Sequence, residues 1–109
     1  MQAALALVSA LVVLAVSAPA AAAGDAAKGK ELYARKCQAC HAADGSGSPA
    51  MQKKYGEKWK AHGSPAIQGM TDDELMQAFR TAPIHAKPAG SLSDAELADL
   101  VAFIRSLKQ

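Results

Sequence analysis

The first 23 residues of this 109-residue chain carry no charge, and 19 of them are hydrophobic. All 12 Lys and Arg and all 10 Asp and Glu lie from Asp25 onward, giving a formal net charge of +2. So even a balance makes no large basic field, and nucleic-acid binding is not expected. Cysteine is nearly missing: Cys37 and Cys40 stand alone, with two residues between them, in a way that suits no disulfide scaffold. Only five residues are aromatic. Strand-like alternation and internal repeats are absent. There is no nucleophile beside a base, no glycine-rich phosphate loop and no paired-carboxylate site, so catalysis by the chain alone is not expected.

What is present divides the chain in two. Ala3 to Val16 is an apolar run, followed by Ser17, Ala18, Pro19 and alanines up to Gly24. Ala21 and Ala23 satisfy the small-x-small requirement of a signal peptidase. Residues 1–23 are therefore expected to be a signal peptide, leaving a domain at 24–109. No Lys or Arg precedes the apolar run, which departs from the usual pattern. The alternative is an uncleaved anchor, because about 20 apolar residues can span a bilayer; Pro19 and the drift to alanine argue against it. Either way the domain is exported. At 86 residues it is one domain with a modest core, of the size that often needs a staple, metal or cofactor.

The domain reads as all-α. Asp25 caps a first helix running to about Cys37, with Gly29 and Tyr33 on one face. Residues 42–70 hold five glycines and two prolines and read as loop, with one short helix around Lys53–Lys60. Thr71-Asp72-Asp73-Glu74 is a capping box that opens a helix whose apolar side is Leu75, Met76 and Phe79. Residues 82–91, with Pro83 and Pro88, read as loop again. Ser93-Asp94-Ala95-Glu96 is a second capping box. Behind it Leu97, Leu100, Val101, Ile104 and Leu107 form one stripe of an amphipathic helix.

Cys37-Gln38-Ala39-Cys40-His41 is C-x-x-C-H, the pattern of c-type haem attachment. Two thiols about one helical turn apart can each add to a vinyl group of one haem, and the adjacent imidazole then reaches the iron. The rival readings fit less well. A structural zinc site wants four ligands, and no second cysteine pair exists. A thioredoxin-like motif would sit at a βαβ turn, and no strands are visible. A plain disulfide leaves His41 unexplained.

With those residues in view, the chain resembles a small class I, single-haem cytochrome c of the bacterial type over nearly all of residues 25–107. The segments that carry the likeness are Gly29 and Tyr33, the Cys37–His41 motif, Pro65-Ala66-Ile67-Gln68-Gly69-Met70, and Leu92-Ser93-Asp94-Ala95-Glu96 leading to Phe103-Ile104. The resemblance implies three to four helices around one covalently attached haem c. It also implies a near-perpendicular crossing of the first and last helices, with Gly29 and Tyr33 meeting Phe103. Cys37 and Cys40 would carry the haem, and His41 would be the proximal iron ligand.

The opposite face of the iron is where the chain departs from the family. Relatives usually place a methionine in the loop before the last helix, and here nothing after Met76 can serve. Counting back from Leu92-Ser93-Asp94, the corresponding position is His85. Lys87-Pro88 imitates the family's frequent Met-Pro pair, which makes Lys87 a second candidate. A neutral imidazole is a ready ligand, whereas a lysine must first lose a proton held near pH 10.4. Met51, Met70 and an open site are the remaining alternatives. A His/His pair would lower the potential relative to His/Met relatives.

Other residues carry expectations of their own. His62 is expected to be exposed. Trp59 is expected to pack on the haem or donate its indole N–H to a propionate. Met70 and Met76 are expected in the core or against the haem, whose flat apolar surface would pack on Tyr33, Phe79 and Phe103. Lys53, Lys54, Lys58 and Lys60, offset only by Glu57, form either a solvated face or a basic rim that steers an acidic redox partner. The functional expectation is a monomeric periplasmic carrier of one electron between partner proteins, touching a membrane only if the leader is kept. The rivals are a relay subunit of a larger oxidoreductase and a gas-binding sensor with a labile sixth ligand.

Overall fold

In the computed structural model the described residues are 24–109, together with Val12 and Val13. The rest of the expected signal segment lies outside the described residues. Among the described residues the structure is wholly helical and has no strand. No described helix is long and apolar enough to cross a membrane.

Helix α1, Ala26–Lys36, begins as the sequence predicts. The Asp25 carboxylate accepts from the Ala27 and Lys28 N–H groups at 2.9 and 3.2 Å, and Arg35 and Lys36 occupy the last turn, where positive charge suits the helix dipole. The last helix, α7, spans Asp94–Ser106 and starts with a full capping box between Ser93 and Glu96. These two helices pack against each other and supply nearly all of the core. Leu32, Tyr33, Leu97, Leu100 and Phe103 are buried there together with Leu92, just ahead of α7.

The crossing depends on Gly29. A Cβ at that position would collide with the Asp99 carbonyl oxygen and stand 3.0 Å from the Phe103 Cβ, so only a bare backbone lets the helices approach. Tyr33 fills the space one turn on, its ring centroid 4.9 Å from that of Phe103. The glycine, the tyrosine and Phe103 thus meet as the resemblance implies. The Asp25 N–H also donates to the Asp99 side chain at 2.7 Å, tying the start of α1 to α7.

Between them run α2 (Gln38–His41), α3 (Pro49–Tyr55), α4 (Pro65–Gln68), α5 (Asp72–Thr81) and α6 (Ala86–Gly90), with 3-10 turns at Gly56–Lys58 and Pro83–His85. That is seven α-helices among the described residues, where three to four were expected. The expected helix around Lys53–Lys60 lies earlier: it is α3, capped by the Ser48 hydroxyl, followed by a separate 3-10 turn. Three of the added turns share one physical source. Pro49, Pro65 and Pro83 each open a helical turn, where the missing N–H costs nothing and the ring presets φ. Prolines that read as loop punctuation are helix starts. The α5 capping box forms as predicted, Thr71 and Glu74 each accepting the other's backbone N–H.

Candidate functional site

Helices α2 to α6 contain no fully buried residue, because their apolar sides turn toward a shared cavity of about 590 Å³. That volume is in the range of a cofactor site. Met51, Tyr55 and Trp59 line one part of it, Ile67 and Met70 another, and Leu75, Ala78 and Phe79 present the α5 wall. Leu97, Leu100, Val101 and Ile104 bring in the α7 stripe, and Tyr33 closes the α1 side. Phe103 stays in the core between α1 and α7, packed on Tyr33, rather than forming the cavity face expected of it.

The structure brings Cys37, Cys40, His41 and His85 onto this one cavity. Both cysteines are free and half-buried, with no bond between them. Burial is the main influence on the Cys37 thiol, pushing it up to about 11 against the opposing charge of Lys36, so it stays protonated. The turn that carries the motif is tied down at its end. Gly47 N–H donates to the His41 carbonyl and Ser48 N–H to the Cys40 carbonyl, each at 2.8 Å.

His41 is held by rings. Its centroid lies 4.2 Å from that of His62 and 4.9 Å from that of Trp59, both stacked, at interplanar angles of 22° and 26°. Burial, then the charges His62 and His85 would carry, lower the His41 imidazole to about 4, so it is neutral at pH 7. Neutrality is what metal ligation requires of an imidazole. His62 is half-buried rather than exposed as the sequence suggested. Its ring lies between His41 and the edge of Tyr33, 5.8 Å away at 69°. Burial lowers it too, to about 4.

His85 also lines the cavity, its ring centroid 6.2 Å from that of His41. The Phe79 carbonyl lies 3.2 Å from His85 Nδ1, and the Phe79 ring stacks on the imidazole at 4.6 Å. An Nδ1–H donated to that carbonyl leaves Nε2 as the free lone pair, the arrangement by which an outer partner orients a ligating imidazole. Lys87 is exposed on α6. Met51 and Met70 line the cavity, while Met76 packs against the α1–α7 core.

The indole N–H of Trp59 is already engaged within the chain rather than free for a propionate. Its Nε1–H donates to the Ser46 carbonyl at 2.8 Å, and the ring packs flat on His41. Sequence reasoning assigned no role to Gln68, Arg105 or Ala42. Gln68 Nε2 donates to the His62 and Ile104 carbonyls, both at 2.8 Å, bridging the His62 loop to α7. Arg105 donates to the carbonyls of Gln68 and Met70 and pairs with Asp72. Isolated polar side chains such as Gln68 and Arg105 carry no periodicity by which to find them, and Ala42 acts through its backbone.

The donor set fits a covalently attached haem. Two free thiols and a neutral imidazole lie in one turn at the mouth of an apolar cavity, with a second oriented imidazole opposite. The buried Nδ1 of His41 has no protein partner, so stacking on His62 and Trp59 rather than a hydrogen bond holds that ring. A bare metal ion is a poorer fit: among the described residues no group of three or more His, Cys, Asp or Glu is arranged to hold one. No curated protein and no solved structure matches the chain. The family model for cytochrome c does match, over residues 26–108, and the chain belongs to that family as a haem-bearing electron-transfer protein.

Proposed function

We propose that the protein is a periplasmic, monomeric, single-haem electron carrier with a bis-histidine iron. In this reading residues 1–23 are removed as a signal peptide, Cys37 and Cys40 hold the haem, and His41 and His85 bind its iron from opposite sides. The observation that carries the ligand assignment is the 6.2 Å separation of the two imidazole centroids across the cavity. Nitrogens each about 2 Å from one metal would put the centroids of an opposed pair roughly 6 Å apart. The Phe79 carbonyl supports His85 further by fixing its tautomer, whereas Lys87 is exposed and would also have to give up a proton.

The haem supplies the one-electron couple, and the chain's own residues set how it is used. Ring stacking on His41 and His85 restricts the rotation of both imidazoles. The apolar walls from α5 and α7 keep water from the site. Lys36, Lys58 and Lys60 reach the cavity mouth, with Lys53 and Lys54 beside them, so an acidic redox partner would be steered there in a salt-dependent encounter. Ile84 is the large hydrophobic residue left exposed among the described residues of the domain. So little apolar surface favours a brief contact with changing partners over a fixed place in a complex.

Visible spectra of the purified holoprotein, oxidised and reduced, test the ligand reading. The expected result is a low-spin haem in both states, whose ferrous form does not readily bind carbon monoxide. His85→Ala should abolish the low-spin spectrum, and Lys87→Ala should leave it intact. A ferric sulfur-to-iron charge-transfer band would overturn the reading in favour of a methionine. Fast stoichiometric carbon monoxide binding would overturn it in favour of the sensor.

A further inference from the structure

The residue that follows His41 has an unusual backbone. Ala42 sits at φ 61, ψ 164. It is the single non-glycine residue with positive φ among the described residues, in a region that side chains other than glycine's rarely enter. Such a conformation persists only where its surroundings hold it. One hold is ordinary: the Ala42 N–H donates to the Gln38 carbonyl at 2.9 Å. The other is not, because the Ala42 carbonyl accepts the hydroxyl of Tyr33 at 2.6 Å. Tyr33 is 1% exposed and anchored by Phe103 in the core, so its hydroxyl is a fixed post. Its ring also meets that of His62 at a steep angle, 5.8 Å between centroids and 69° between planes, and His62 in turn stacks on His41.

We propose that Tyr33 is a positioning residue for His41, its hydroxyl latching Ala42 in the strained conformation and its ring bracing His62 against the imidazole. A phenylalanine would fill the same space between α1 and α7, so packing does not account for the hydroxyl. Ala42 needs the latch because its Cβ opposes the backbone angle; a glycine there would hold the same turn unaided. That difference separates a latch from a buried hydroxyl that merely finds an acceptor. The inference rests on His41 being an axial ligand.

The test is a double-mutant cycle on the holoprotein with Tyr33→Phe and Ala42→Gly. The readouts are the midpoint potential, the ferric electron paramagnetic resonance spectrum and amide exchange at Ala42 and Gly47. Tyr33→Phe alone should shift the potential, broaden the low-spin signal as His41 samples more orientations, and speed exchange about fivefold, the factor for one lost hydrogen bond. In the Ala42→Gly background the same substitution should change the potential and spectrum little. Unchanged potential and spectrum in Tyr33→Phe, or equal shifts in both backgrounds, would overturn the latch. If Tyr33→Phe alone matures poorly, Ala42→Gly with and without it gives the deciding comparison, and an undiminished shift there again overturns it. The native spectrum is read first: without a low-spin, nitrogen-ligated iron the ligand reading itself fails, whereas a normal native spectrum left untouched by Tyr33→Phe defeats the latch alone.

Discussion

Helices α1 and α7 and the segment between them are stabilised by different means. The two long helices bury their own side chains: Tyr33 is 1% exposed, and Leu97 and Leu100 are each 2% exposed. Burial of that kind is worth about 1.5–3 kcal/mol per large side chain. Within helices α2 to α6 themselves no side chain is fully buried, and the buried positions between them are the glycines Gly45, Gly47 and Gly63. That segment is instead hung on backbone carbonyls by polar side chains: Gln52 to Gly47, Trp59 to Ser46, Gln68 to His62 and Ile104, and Arg80 to Ala89. Its apolar faces are spent on the cavity. The helix pair can pack by itself, whereas the middle is built to be completed by a cofactor.

The largest effect should therefore follow loss of the haem. In a Cys37→Ser, Cys40→Ser chain, amide protection should vanish across residues 42–91 while α1 and α7 keep part of their helicity. Hydrogen exchange with far-ultraviolet circular dichroism would measure both. Equal loss in the two regions would break the distinction between them.

The same division explains what the sequence made legible. Capping at Asp25, Thr71 and Ser93 and the stripe from Leu97 to Leu107 are local or periodic signals, and each forms as read, while the meeting of Gly29 and Tyr33 with Phe103 forms as the resemblance implies. The Cys37–His41 motif is equally plain, and the structure brings His85 to the lining of the same cavity. The middle was less legible because its order has no period. Pro49, Pro65 and Pro83 signal a turn or a helix start equally well, and only tertiary contacts decide. Trp59 lines the cavity as expected, but the burial of His62 and the partner of the Trp59 N–H are illegible for a related reason. A histidine between Ala61 and Gly63 looks exposed until Gln68 pulls its backbone toward α7, and the Trp59 proton was taken by a carbonyl 13 residues away.

Two glycines sharpen the comparison. Gly29→Ala should cost about 2–3 kcal/mol in guanidinium unfolding, because the obstacle is the Asp99 backbone and cannot rotate away. Gly90, at the end of α6, has open space where a methyl group would stand, with nothing within 4 Å, and alanine there should be neutral or gain about 0.5 kcal/mol from helix propensity. A large loss at Gly90 would mean that the middle is packed as tightly as the crossing.

Arg105 belongs to both regions: it grows from α7 and holds the Gln68 and Met70 carbonyls and Asp72. Its side chain is 30% exposed, so solvent weakens the ion pair and the carbonyl bonds matter more. Arg105→Ala should cost about 2 kcal/mol. Exchange should accelerate most at residues 62–72 rather than along α1. Acceleration spread evenly over the chain would show that the two regions unfold as one.

The smallest effects come from the two capping boxes, one in each region. Ser93→Ala and Thr71→Ala remove the same kind of bond, a hydroxyl accepting an N–H at 3.1 Å, and each should cost about 1 kcal/mol. The cost should register differently. Helix α7 carries the core, so Ser93→Ala should lower the global unfolding midpoint, while Thr71→Ala should chiefly speed local opening of α5. Acid adds a signature to the first. The Ser93 backbone N–H, and then its hydroxyl, hold the Glu96 carboxyl below its ordinary 4.5. A carboxyl lowered in the folded state stabilises above its unfolded value, and that contribution fades as the pH falls below 4.5 through the folded value. Removing the Ser93 hydroxyl deletes part of that lowering, so the stability difference between native and Ser93→Ala proteins should narrow as the pH drops below 4.5. A difference that stays constant there would mean that the hydroxyl acts on the α7 backbone alone and contributes nothing through Glu96.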